Sequence, residues 1–129
     1  MENKFSSKQA SVETGLSIHT LRYYELIGLI SDIERDANGY RQYSESDIAW
    51  FQVLSYFRAM GMPIREMQDF IALPNSEVST ITARREFMET YRRKVIDQMK
   101  ELEKTLEKID LKISFFKNLE TSDKIQQDR

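Results

Sequence analysis

The sequence contains no cysteine and a single histidine, His19. Thiolate catalysis, disulfides, cysteine-based metal or iron–sulfur sites and cysteine redox switches are thereby excluded, and one imidazole leaves little scope for histidine chemistry. Long apolar runs are lacking as well. The longest are Ile48 to Phe51 and Phe70 to Leu73, against the roughly 18 to 20 residues needed to cross a bilayer. Glu2, Lys4 and Lys8 at the N-terminus precede no apolar stretch, so neither a secretory signal nor a membrane partner is expected and a cytoplasmic location is the default. No phosphate-cradling glycine loop occurs, and carboxylates such as Glu101 and Glu103 interleave with lysines as solvated charge. An enzyme is not expected, nor a cofactor or a metal site.

Glycine and proline are also scarce, four and two in 129 residues, and unevenly placed. Gly15, Gly28, Gly39, Gly61, Pro63 and Pro74 all precede residue 75, and none follows. The chain therefore reads as a punctuated head over residues 1–74, a long uninterrupted helix over 75–118 and a short polar tail over 119–129. With 40% hydrophobic and 31% charged residues and a net charge of -2, the composition is that of a folded chain. The head holds seven Lys/Arg against ten Asp/Glu.

In the head, Ser7 is a plausible N-cap for a helix through Ala10 and Val12 that stops at Gly15, and a second stretch runs from Ser17 to Ile27 before Gly28. Two short helices joined by about two residues have the spacing of a helix-turn-helix, which αα-corners share. At about 100° per residue, Leu21, Tyr24, Glu25 and Gly28 face inward with Ile18 at the edge. His19, Arg22, Tyr23 and Leu26 face outward, flanked by Thr20. Such an arc, starting at Ser17, suits a DNA groove, because arginine forks onto guanine or phosphate and tyrosine donates to phosphate. An ordinary solvated face is the alternative.

Asp36-Ala37-Asn38-Gly39 between Ile33 and Tyr40 is a hairpin cue and predicts short strands near Asp32 to Arg35 and Tyr40 to Tyr43. A hairpin directly after a helix-turn-helix is a wing, with Arg35, Tyr40 and Arg41 near its tip, able to grip phosphates. Alternatively Tyr40 and Tyr43 pack against the helices, as expected for Tyr43. Ser44 with Asp47 resembles a capping box opening a helix to Met60 that ends at Gly61. Its Ile48, Trp50, Phe51, Val53, Leu54, Phe57 and Met60 cover an arc wide enough for core. Pro63 suits the first turn of a helix to Leu73, and Arg58 and Arg65 bracket the Gly61 turn within reach of phosphate.

Leu21-Arg22-Tyr23-Tyr24-Glu25, Gly28-Leu29-Ile30, Asn38-Gly39-Tyr40-Arg41-Gln42-Tyr43, Asp47-Ile48 and Phe57-Arg58-Ala59-Met60-Gly61-Met62-Pro63-Ile64 occur in that order. Over residues 5 to about 73 this set resembles the mercury-resistance regulator (MerR) family of transcription factors. The resemblance implies a mostly α fold: a winged helix-turn-helix head of four helices and a small β-hairpin, then one long coiled-coil dimerisation helix. It implies an antiparallel homodimer on double-stranded promoter DNA with an over-long spacer, and activation by remodelling DNA. On matching positions it makes Arg22 and Tyr23 recognition-helix contacts, Tyr40 and Arg41 wing contacts, and Arg58 a phosphate ligand. RNA polymerase is the further partner expected of such a regulator. Family members that sense metals or oxidation commonly use cysteines after the long helix, and this chain has none.

The tail supports dimerisation independently. Val95, Met99, Leu102, Leu106, Ile109, Ile113 and Phe116 alternate spacings of four and three, and Met88 extends this seam upstream, a coiled-coil pattern. A cap near Ser79 or Thr80 and an end near Asn118 predict a helix of about 40 residues, roughly 60 Å long. No buried asparagine marks the orientation of the pair. An effector, if any, is expected at the dimer interface near Phe87, Tyr91, Phe115 and Phe116, residues more readily explained as packing. Arg84, Arg85, Arg92 and Arg93 form either an anion site or a solvated face. An excisionase-like architectural DNA binder would share the head without needing the seam.

Overall fold

The computed structural model describes the backbone of residues 3–73 and 77–127, with side chains over 3–73 and 80–124. Five helices and one hairpin follow in the order α1 Ser7–Thr14, α2 Ile18–Leu26, β1 Glu34–Arg35, β2 Arg41–Gln42, α3 Glu45–Ala59, α4 Ile64–Ile71 and α5 Glu77–Gln127. The chain divides into two compact units, Met1–Asn75 and Ser76–Arg129. Pro74 and the expected boundary beside it lie outside the described residues.

Local chemistry sets each helix end in the first unit. Ser6, not the expected Ser7, caps α1: its Oγ accepts from Gln9 N at 3.2 Å while Gln9 Oε1 accepts from Ser6 N at 2.9 Å. This reciprocal bond needs a polar side chain three residues on, which Gln9 supplies to Ser6 and Ala10 cannot supply to Ser7. Gly15 closes α1 at φ 72°, in the left-handed region where a Cβ is costly. Ser17 caps α2 through Thr20 N. Ser44 and Asp47 form the capping box of α3. Pro63 stands one position earlier than expected, as the N-cap of α4 with ψ 152°, outside the helix proper.

The hairpin is shorter than the predicted strands, two residues a side, in antiparallel register Glu34↔Gln42 and Arg35↔Arg41. Its loop is closed by the Asp36 carboxylate, whose Oδ1 accepts from Asn38 N and Tyr40 N, both at 2.9 Å. Phe5 adds an isolated bridge to Tyr43, with N–H to carbonyl distances of 2.8 Å in both directions. That pairing ties the N-terminal segment to the end of the wing.

The core of this unit is one apolar cluster. Leu21 and Tyr24 of α2, Ile48, Phe51, Leu54 and Phe57 of α3 and Met67 and Phe70 of α4 are all buried, and α1, with Ala10 buried, packs against both α2 and α3. Phe57 and Phe70 meet edge to face at 4.9 Å, Trp50 stacks on Phe70 at 6.2 Å, and Tyr43 meets Phe51 at 5.8 Å. Each such pair adds about 0.5–1.5 kcal/mol beyond burial. Trp50 Nε1 donates to the Leu29 carbonyl at 2.8 Å, which pins the segment leaving α2 onto α3.

The second unit is α5, 51 residues rather than about 40. It starts before the cap expected at Ser79 or Thr80 and continues past Asn118 through most of the predicted polar tail. The apolar seam ends at Phe116, but nothing there ends the helix, because no glycine or proline follows residue 74. Pairs such as Arg85 to Glu89 at 2.7 Å and Lys104 to Glu101 at 3.4 Å support it along the exposed surface.

Candidate nucleic-acid interface

Burial of Leu21 and Tyr24 fixes the rotation of α2 and presents the opposite arc outward. His19, Arg22 and Tyr23 are exposed, as is Leu26 at 82%. Ser17 is occupied as the cap, its Oγ lying 2.9 Å from Thr20 Oγ1. Arg58, at the end of α3, donates from Nη1 to Thr20 Oγ1 at 3.4 Å. The last turn of α3 thus places a cation beside the first turn of α2.

The wing brings its own cations to α2. In register, Arg35 and Arg41 stand directly opposite each other, a like-charge pair that a hairpin disfavours. Glu25 relieves half of it: Arg41 Nε donates to Glu25 Oε1 at 2.8 Å, with side chains only 21% and 26% exposed. Arg35 Nη1 donates to the neutral Gly39 carbonyl at 2.8 Å and keeps its charge uncompensated by that contact. Tyr40 projects from the tip, 71% exposed, whereas Tyr43 is fully buried.

Between these elements lies a cavity of about 390 Å³. Arg22 and Ile18 of α2 form one wall, Arg35, Gly39, Tyr40 and Arg41 of the wing a second, and Ser6, Ser7 and Lys8 at the start of α1 a third. No carboxylate lines it. Of the expected DNA-contact residues the cavity gathers Arg22, Arg35, Tyr40 and Arg41. Ser17, His19, Thr20, Tyr23 and Arg58 lie outside it, on the exposed side of α2 and at the end of α3. Two residues tied to the site carry only weak signals in the sequence. Helical periodicity turns Glu25 inward without naming its partner, although a half-buried carboxylate requires a cation. Lys8 carried a signal in being a cation in the first turn of a helix, where the macrodipole disfavours it.

On α5, Met88 and Val95 are half-buried, while Met99, Leu102, Leu106, Ile109, Ile113 and Phe116 are exposed along one stripe, Leu102 at 68%. Among the described residues no helix is long and apolar enough to cross a membrane.

The family model described as MerR HTH family regulatory protein matches residues 5–73. The HTH-type transcriptional regulator HmrR of Rhizobium leguminosarum bv. viciae is 34% identical over 102 residues, covering 77% of this chain and 78% of the relative. A solved MerR family transcriptional regulator from Listeria monocytogenes superposes with TM-score 0.64 and 32% identity over 84% of this chain and 83% of its own. HiNmlR, a MerR family regulator lacking the sensor domain and solved bound to promoter DNA, gives TM-score 0.60 and 26% identity over 81% and 80%. With its head matched from Phe5 to Leu73 and these three relatives covered over most of their length, the chain belongs to the MerR family of helix-turn-helix transcriptional regulators.

Proposed function

We propose that this protein is a sequence-specific, homodimeric regulator that binds double-stranded promoter DNA in the cytoplasm, distorts it in response to a signal, and thereby changes its use by RNA polymerase without catalysing a reaction. The observation that carries this reading is the convergence of Arg22 from α2 with Arg35, Tyr40 and Arg41 from the wing around one acid-free notch. A head with more acidic than basic residues is repelled by DNA at long range, so a concentrated local patch is what binding requires. Arg22 and Tyr23 are read as groove contacts, with Ser17, His19 and Thr20 beside them. Arg35, Tyr40, Arg41 and Arg58 are read as backbone contacts. HiNmlR, of similar fold, was solved on promoter DNA, which supports the same use here.

The seam of α5 supports an antiparallel pair. Continued upstream, the heptad positions hold Arg92 and Arg85, and continued downstream they hold Glu120 and Asp123. In a parallel dimer each arginine meets its own copy. With two copies antiparallel about Leu102, Met88 meets Phe116 and Val95 meets Ile109, while Met99 and Arg85 fall within one residue of facing Leu106 and Glu120. Met88 to Phe116 spans roughly 42 Å at 1.5 Å per residue, compatible with half-sites about 34 Å apart. An architectural winged-helix binder would need only the head; this stripe favours the regulator.

Bending and untwisting a site costs on the order of 1–10 kcal/mol, supplied by contacts from both heads. The protein is therefore expected to stay on its operator with and without its signal, and footprints showing release on induction would replace distortion with simple repression. Gel shifts with the DNA upstream of its own gene, comparing wild type with an Arg22→Ala, Arg41→Ala double variant, test the interface. Equal binding by the two would remove the assignment.

A further inference from the structure

The third wall of the notch lies outside the recognition helix and the wing. Lys8 and Ser7, in the first turn of α1, line the same cavity as Arg22, Arg35 and Arg41. Among the described residues, only Arg41 of the four cations there forms an ion pair with a carboxylate, leaving the lining strongly positive. Two placements around this cavity are electrostatically unfavourable in the isolated chain. Arg35 stands opposite Arg41 in the hairpin register. Lys8 sits at the positive end of the α1 dipole, in a first turn without an acidic residue. One anion in the notch relieves both.

We infer that this notch seats a backbone phosphate of duplex DNA and that Lys8 is a DNA ligand, making α1 a third contact element beside the recognition helix and the wing. The inference rests on the DNA-binding reading above. The division of labour follows from side-chain chemistry. Arginines present planar forks to phosphate oxygens, while the lysine ammonium is a point charge on a flexible stem, suited to closing an open side of the site. A phosphate contact carries no base information, so its loss must weaken all duplexes alike. Its electrostatic signature is the release of bound counterions, worth about 0.9 in the log–log salt slope per neutralised phosphate.

The test uses the full chain and two fluorescent duplexes, one from the DNA upstream of its own gene and one of scrambled sequence, titrated at several salt concentrations. Lys8→Gln is expected to weaken both by a similar factor, on the order of 10-fold at low salt, and to reduce the slope by up to about 0.9 for each head of the dimer, the arginines still holding part of the phosphate charge. Lys8→Arg is expected to keep both near wild type. Lys8 is exposed and disfavoured by the α1 dipole, so a thermal transition unchanged or slightly raised should accompany the loss. If Lys8→Gln matches wild type in affinity and slope while Arg22→Ala does not, the third contact is refuted and the DNA reading stands. Weakening confined to one sequence would overturn the phosphate assignment. Failure of the wild type to bind either duplex would overturn both readings.

Discussion

Two residues show how a single side chain is tied to this architecture. Asp32 has φ 62°, alone among the described non-glycine residues in the left-handed region. An L residue with a Cβ pays roughly 1–2 kcal/mol there, less for Asp, whose short polar side chain can bond locally. Asp32→Ala is therefore expected to destabilise the head by about 1 kcal/mol, and Asp32→Gly to be close to neutral; urea unfolding giving equal losses for the two would refute the backbone explanation. Glu25 borders the site through Arg41. Its bond to Arg41 is partly buried, so the Coulomb gain is screened only in part, and Glu25→Gln is expected to cost about 1 kcal/mol in urea unfolding. The same substitution leaves Arg41 uncompensated opposite Arg35, so the salt dependence of DNA binding should steepen while stability falls. A lower stability with an unchanged salt slope would mean that Arg41 stays turned away from DNA.

At the level of helices and strands, what was legible was mainly punctuation. Serine caps, glycine stops and Pro63 marked every helix of the head to within about two residues, because these signals act through hydrogen bonds and backbone angles spanning a few positions. Ser44 illustrates the strength of one such signal: its capping box opens the helix that carries Ile48, Phe51, Leu54 and Phe57 into the core. Ser44→Ala is expected to lower head stability by about 1 kcal/mol, read as a shift of the urea midpoint without change in slope. The structure departs from the sequence pattern where a signal is missing or has a rival. Ser6 competed with Ser7, and Gln9 decided between them. The strands are shorter than their composition suggests, because Asp32 at φ 62° breaks the extended backbone at the outer end of the first, Tyr40 lies in the loop that Asp36 closes, and Tyr43 pairs with Phe5 instead. The end of α5 lies beyond the expected Asn118 because the seam stops before the helix does. The Phe5 bridge to Tyr43 has no local signature at all, since its two halves lie far apart in sequence.

For the molecule as a whole, the proposed rod makes the strongest demand. An exposed stripe from Met99 to Phe116 on one face of α5 needs cover, and a second copy supplies an equal one. Leu102→Glu would place two carboxylates at the centre of the antiparallel pair, so sedimentation should show dissociation to single chains. DNA affinity should then drop by on the order of 10²-fold or more through lost bivalency. Arg85→Glu should weaken the dimer a few-fold, the modest value of an exposed ion pair, because Arg85 already holds Glu89 within its own helix. Adding Glu120→Arg should restore it. A double variant no tighter than the single one would contradict the antiparallel register.

By itself the sequence determined the family, the helix-turn-helix with its wing, the outward set of His19, Arg22 and Tyr23, and the heptad seam. All of these are periodic or local patterns, in which the side chains that matter lie within a few residues of one another. Tertiary structure alone decided which charges are matched and which converge. Glu25 meets Arg41, and Lys8 shares a cavity with Arg22 and Arg35, because folding three separate segments together sets the distances between them. Charge interactions depend on those distances and on burial, and neither is written along the chain.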